Sequence, residues 1–400
     1  MKNWVVQAWM RAQMRLWEAV AEEMAGSLAR PDGDPHAHAP GPDRARILLV
    51  GSGAALGWGV RCHDLAIPGS LARALAAATG RGVDVDVVAD RAMGPREVAA
   101  AVRGAAAHRF DAIVVTVGYR EAVELERPTD WERDIRLMLD DLHSVVDGSV
   151  RIVLLGIPVP ALEGVPSWAQ RIVRAHARSL DRCTAFAAVA AGELSVSAGT
   201  DDADFLERAS VGYARLGGAV AASLAPVLRG TSRRGVWAAS PLEEPRQAAV
   251  DRVLRSADVS SPRVRRLVEM TRSVLGTEAA LFTILDGSSH RQAAWAGVDV
   301  GDLSRDHSLC QHTIMQAAGL VVEDTLDDAR FRDNPLVTTG ERPLRFYAGF
   351  PVESPDGYPI GALCVIDSRP RRAAEVNTVL LREFALLIQR ELWSSSRVLA

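Results

Sequence analysis

The chain has 400 residues, 48% of them apolar and 24% charged, with a formal charge of -4; these are the proportions of globular protein in two or three domains. Arginines are scattered among acids with no basic stripe, which excludes nucleic acid as an expected partner, and a single lysine, Lys2, excludes Schiff-base and phosphate-loop lysine chemistry. Four cysteines, Cys62, Cys183, Cys310 and Cys364, lie far apart without a Cys-x-x-Cys pair, so a zinc or thiol-exchange motif is not expected and a reducing cytoplasm is the simplest setting.

Val6, Met10, Met14, Trp17, Ala21, Met24 and Leu28 recur at helical spacing and predict an amphipathic helix within 1–29. It packs on its own domain or on a partner chain, a membrane surface being the other reading. Asn3, Gln7, Arg11 and Arg15 break the segment up as a signal peptide, and no apolar run reaches spanning length. Residues 30–45, with Pro, Gly, Asp and His, read as a flexible tether; His36 and His38 are an i, i+2 metal pair or incidental.

From 46 to 229, strands expected at 47–50, 83–88, 112–117 and 151–157 alternate with helices at 68–79, 96–107, 131–146, 167–191 and 212–228. That order implies right-handed crossovers and a parallel sheet covered on both faces. A dinucleotide site would need Gly51-x-Gly53 to run straight into a helix, with Asp90 on the ribose. Gly57, Gly59 and a long loop to Pro68 follow instead.

Four blocks carry a better match. Leu49-Val50-Gly51-Ser52-Gly53 is followed by Gly57-Trp58-Gly59-Val60; then come Asp90-Arg91-Ala92-Met93-Gly94, Gly118-Tyr119-Arg120-Glu121, and Asp204-Phe205-Leu206-Glu207 ahead of Gly212-Tyr213-Ala214. In this order they resemble the SGNH (GDSL-type) hydrolase family over about 47–228. The resemblance implies a flavodoxin-like, three-layer α/β domain with a parallel sheet. It also implies where the chemistry would sit, and there the chain departs: Gly53 stands in place of the nucleophilic serine, Arg120 in place of the oxyanion-hole asparagine and Glu207 in place of the base histidine.

Losing one oxyanion donor alone costs on the order of a hundredfold to a thousandfold in rate, and losing nucleophile and base together leaves no triad. Ser52, one residue early, and Asp204 are the residual candidates, and His63 and Asp64 follow the turn. No histidine lies between His176 and His290 to act as base. An inactive relative of the hydrolases is the expectation, and a working esterase the alternative. Arg120 and Glu121 form an ion pair at a strand end, or Arg120 takes a carboxylate or phosphate in the old cleft.

Residues 230–244 read as a connector. Beyond it, over 245–395, helices are expected at 246–255 and 262–275 and a hairpin at 279–285 and 290–296. A helix at 305–317, a strand at 320–323, paired strands at 346–352 and 360–366 and a closing helix at 380–392 complete the pattern.

The runs Ser308-Leu309-Cys310-Gln311-His312, Val322-Glu323-Asp324-Thr325, Asp328 to Val337, Arg345-Phe346-Tyr347-Ala348-Gly349 and Gly361 to Asp367 resemble the GAF domain of bacterial sensor kinases and diguanylate cyclases. The resemblance implies an α+β domain with an antiparallel sheet around a small-molecule cavity, and sensing or dimer formation rather than catalysis. Cys310, His312, Phe346 and Tyr347 are the candidates for that cavity. Bilin attachment is disfavoured because Gln311 separates Cys310 from His312. Cys310 is a buried small hydrophobe or a reactive or metal-linked thiol, and Phe346 and Tyr347 line a cavity or pack the core.

Taken together, the sequence predicts a cytoplasmic sensory or regulatory protein that binds a small ligand or partner, without a resident cofactor or metal. A GAF-regulated esterase is the alternative. After Trp393 no output unit is expected, so a signal would leave through a surface. The stripe Leu381, Phe384, Leu387, Ile388 and Leu392 would suit pairing as a homodimer.

Overall fold

The computed structural model describes residues 29–41, 44–159, 166–198, 209–229, 243–316, 318–339, 342–355 and 357–397. Two compact units divide the chain, Met1–Thr231 and Ser232–Ala400. The expected amino-terminal helix lies outside the described residues but for its last position, as do most of the connector and both Asp204 and Glu207.

In the first unit the elements run β1 (His36–Ala39), β2 (Ala45–Gly51), α1 (Ile67–Thr79), β3 (Val83–Ala89), α2 (Pro95–Gly104), β4 (Ala112–Thr116), α3 (Tyr119–Val123), α4 (Pro128–Val145), β5 (Arg151–Leu155), α5 (Ser167–Ala191), β6 (Leu194–Val196) and α6 (Ala209–Leu228). The sheet order is β1-β3-β2-β4-β5-β6, and every pair from β3 to β6 is parallel. Numbered among themselves, the five parallel strands lie 2-1-3-4-5, the flavodoxin-like order.

Period-two alternation explains why β2 is apolar throughout. Ile47 and Leu49 enter one core with Leu71 and Leu75 of α1 and Tyr213, Val220 and Leu224 of α6, while Leu48 and Val50 enter the other with Val98, Trp131, Leu139 and Leu180. The Trp131 indole N–H donates to Thr184 Oγ1 at 2.9 Å, so this large ring is buried without an orphaned donor. Helix α6 is long and apolar enough to cross a membrane, but half of its apolar window is buried within its own unit, as in the core helix of a doubly wound fold.

The tether expected over 30–45 is corrected in its middle, and the sheet is not wholly parallel. Residues 36–39 form a strand antiparallel to β3, with His36 opposite Asp86. Ala37 and Ala39 are buried there, and His36 Nδ1 meets Asp86 Oδ1 at 2.6 Å. The His-Ala alternation is a strand pattern, but its inward residues are too small to stand out among prolines and glycines.

The second unit runs α7 (Glu243–Ser256), α8 (Pro262–Leu275), β7 (Ala279–Asp286), β8 (Ser289–Ala296), β9 (Leu303–Ser304), α9 (Cys310–Ile314), β10 (Leu320–Val322), α10 (Pro335–Thr338), β11 (Phe346–Glu353), β12 (Pro359–Asp367) and α11 (Thr378–Arg397). Its sheet, in the order β10-β11-β12-β7-β8-β9, is antiparallel throughout. One face packs on α7, α8 and α11, and the other on α9 and the loops around it.

Two expectations fail here. The helix expected over 305–317 is a 3-10 turn at Arg305–His307 and then the short α9, because Ser308 is extended and its hydroxyl accepts the Cys310 N–H at 3.2 Å. The proposed dimer stripe of α11 mostly faces its own core: Leu381, Phe384, Ile388 and Leu392 are buried against the sheet and only Leu387 is exposed. Covering one face of the sheet needs that apolar stripe.

Candidate functional site

At the carboxyl edge of the first sheet, three of the four hydrolase-like blocks come together. Ser52 N–H donates to the Thr116 carbonyl at 2.7 Å, and Thr116 Oγ1 donates back to the Ser52 carbonyl at 2.5 Å, tying the end of β2 to that of β4. Gly53 then opens a 3-10 turn at φ +60°, where a Cβ would stand 3.3 Å from Tyr119 Cβ. The Tyr213 hydroxyl holds the following loop through the Trp58 carbonyl at 3.0 Å.

Arg120 lies between the second and third blocks. Its Nη2 donates to Glu121 Oε1 at 3.0 Å and its Nη1 to the Ala92 carbonyl at 3.3 Å. Burial works against its charge, but the carboxylates of Glu121, Glu124 and Glu97 outweigh that and hold the guanidinium above its ordinary value. Glu97 also accepts the Gly94 N–H at 2.9 Å, and Asp90 Oδ1 accepts the Ala92 N–H at 2.7 Å. Three acids around one arginine leave little attraction for a further anion. Glu121 Oε2 is buried without a partner.

No hydrogen bond among the described residues joins the Ser52 hydroxyl to a histidine or a carboxylate. His63 and Asp64 sit in a separate 3-10 turn, His63–Leu65. The His63 pKa is lowered by burial, partly offset by Asp64. Among the described residues this edge thus offers paired charges and a buried serine with no base hydrogen-bonded to it.

The second unit holds a cavity of about 110 Å³ between the sheet and α9. Leu281, Val298, Leu309 and Leu344 form apolar wall. Into it come Cys310 from α9, Tyr347 from β11, Cys364 from β12 and His290 from β8, together with Ser308. The Tyr347 hydroxyl lies 2.5 Å from Thr313 Oγ1 and 3.4 Å from Cys310 Sγ. His290, 4% exposed, meets Ser308 Oγ through Nδ1 at 2.5 Å, and its Nε2 has no partner.

Hydrogen bonding from Cys364 draws the Cys310 thiol below its ordinary pKa against the pull of burial, with help from His290, Thr283 and Tyr347. Cys364 is pushed well above its own, first by that same bond and then by burial. Burial, followed by the Cys310 and Cys364 charges, likewise raises Tyr347 well above the ordinary value.

Of the four cavity candidates, Cys310 and Tyr347 line the void and two do not. Phe346 is wholly buried on the opposite face of the sheet, as strand alternation from Tyr347 requires. His312 lies edge-on to Phe331 at 4.9 Å, away from the lining. His290, Ser308 and Cys364 were missed. A polar His290 at an inward position of β8, two residues before the register shift opposite Phe282 and Thr283, was the available signal.

Residues 262–392 match the family model described as GAF domain. A cyclic di-GMP phosphodiesterase of Pseudomonas aeruginosa is 36% identical over 147 residues, which is 36% of this chain. The chain spans 25% of the length of that curated relative. Among solved structures, a carbohydrate acetylesterase of Sinorhizobium meliloti is similar at 15% identity, covering 46% of this chain and 99% of that one with a TM-score of 0.37. A free methionine-R-sulfoxide reductase of Neisseria meningitidis is similar at 15% identity, covering 41% and 96% with a TM-score of 0.30. The second unit is therefore identified over residues 262–392 as a member of the GAF domain family.

Proposed function

We propose that this protein is a cytoplasmic regulatory protein whose GAF domain takes a small molecule into the cavity beside α9, and whose first unit is a hydrolase-like domain without acyl-transfer chemistry. The observation that carries the reading is His290 Nε2, a buried hydrogen-bonding atom left without a partner on the wall of an apolar void. An orphaned polar atom costs about 1–3 kcal/mol, and a ligand that satisfies it recovers part of that. Kinship with a cyclic di-GMP phosphodiesterase supports a regulatory role, and its nucleotide chemistry guides the choice of ligands to try.

The test is a thermal-shift screen of the full chain against nucleotides, cyclic di-GMP among them, and small metabolites. A ligand at a hundred times its Kd stabilises by about 2.7 kcal/mol, and His290→Ala should abolish that stabilisation. A ligand whose shift survives this substitution overturns the cavity as its site. The competing reading, a GAF-regulated esterase, is tested on nitrophenyl acetate and butyrate. Turnover lost in Ser52→Ala would establish it, and equal background rates in both proteins would remove it.

A further inference from the structure

The cavity wall holds reactive groups for which ligand binding alone has no use. Cys310 and Cys364 come from segments 54 residues apart, yet their sulfurs stand 3.8 Å from each other, both as free thiols. A disulfide needs about 2.05 Å, so the pair is in contact and short of bonding by under about 2 Å. Among the described residues no three His, Cys, Asp or Glu side chains are grouped to hold a metal.

The surroundings differentiate the two sulfurs. Cys310 receives the Tyr347 hydroxyl at 3.4 Å, and its own backbone N–H is held by Ser308, which in turn is held by His290. Gly349 makes room for this arrangement. It lies on the same face of β11 as Tyr347, and a Cβ there would run into the Tyr347 hydroxyl and stand 2.9 Å from Thr313 Oγ1. Hydrogen bonds to Cys310 favour its thiolate, the nucleophilic form, while Cys364 stays protonated. One sulfur is thus prepared to attack and the other to resolve, and both border the void.

We propose that Cys310 and Cys364 are a redox-active dithiol that reduces a small hydroperoxide entering the cavity and closes to an intramolecular disulfide. The Cys310 thiolate attacks the outer oxygen of R–O–O–H, forming the S–O bond of a sulfenic acid as the O–O bond breaks. The departing alkoxide takes a proton and leaves as R–OH. The Cys364 sulfur then attacks the Cys310 sulfur, the S–S bond forms, and hydroxide leaves with the Cys364 proton as water. Two thiols lose two electrons and the peroxide bond gains them. A void of about 110 Å³ is a few times the volume of a water molecule, about 30 Å³, and so admits hydrogen peroxide or a short alkyl hydroperoxide. The disulfide ties α9 to β12 across one wall, so oxidation changes the space open to a ligand. The inference rests on the cavity being the sensory site of the domain.

The experiment treats the reduced full chain with hydrogen peroxide, then counts thiols in denaturant and maps the cysteine peptides by mass. Two of the four thiols are expected to vanish as one Cys310–Cys364 cross-linked peptide, lighter by two hydrogens and restored by dithiothreitol. Cys364→Ser should stop at a Cys310 sulfenic acid that dimedone traps, and Cys310→Ser should slow thiol loss by about tenfold or more. If Cys62 or Cys183 oxidises while Cys310 and Cys364 remain thiols, the proposal is overturned. The wild-type peptide map decides this alone should either variant fail to fold. A ligand found by thermal shift with both thiols intact after peroxide removes the dithiol and keeps the ligand reading; a disulfide with a blank screen does the reverse.

Discussion

The carboxyl edge of the first sheet and the cavity of the second unit both collect polar side chains from distant segments, but of different kinds. The edge collects full charges, with Arg120 set against Glu121 and Glu97 and the Ser52 backbone used to join two strands. The cavity collects polarisable groups, two cysteines, a phenol and an imidazole, around an apolar void. The comparison teaches that a site is defined less by where a fold gathers side chains than by whether their reactivity is already used up. Charges paired with each other have little left for a guest. Nucleophiles facing a cavity do.

The largest effect should come from trying to make the edge resemble an active site. Gly53→Ser places a side chain at φ +60° and against Tyr119, which should destabilise the first unit by about 2 kcal/mol. Ester turnover should not rise, since among the described residues no histidine or carboxylate side chain is hydrogen-bonded to this turn. Denaturant melts beside nitrophenyl acetate assays test both halves, and a gain in turnover would break the contrast.

Next is Asp181, which accepts the Ile157 N–H at 2.9 Å and whose pKa burial raises to about 6. A raised carboxyl pKa adds stability that is complete below about 3.8 and is lost as pH rises through 6. Asp181→Asn keeps the acceptor and removes the charge, so it should stabilise by about 1–2 kcal/mol at pH 7.5. That gain should fade as the pH is lowered toward 3.8. Destabilisation at pH 7.5 would contradict the assignment.

Smallest is Glu243 in the second unit. Burial opposes its charge, but hydrogen bonds from Arg246 and Arg305 prevail and lower its pKa to about 2. Its contribution is present above 4.5 and lost as pH falls through about 2. The carboxylate is partly exposed and screened, so Glu243→Gln should cost under about 1 kcal/mol at pH 7. Chemical denaturation between pH 2 and pH 5 should show the cost shrinking on acidification, opposite in sense to Asp181.

Much of the fold was legible because period and punctuation agreed. Helix α5 has the bounds expected, 167–191, ending at Gly192 with φ +77°. Helix α8 does as well, starting behind the Ser261 cap and Pro262 and stopping at Gly276. Short elements were lost: β6 has three residues and α3 five, too few for a period to show. The cavity was half legible. Cys310 and Tyr347 belong to recognisable runs, but Cys364 joins them through register, sitting opposite Gly349 on β11 and Leu281 on β7. Such pairing across strands leaves no mark in the linear pattern around a residue.

The short strand β1 has a practical consequence. Val83–Ala89 would otherwise end the sheet as seven residues of open backbone donors and acceptors, rich in valine and ready to recruit a neighbouring molecule. Four residues from the preceding segment close over that rim and fasten to it through His36 and Asp86. Anyone trimming the first domain for expression should therefore begin ahead of Pro35, since a cut at Ala45 would uncover a sticky border and invite aggregation.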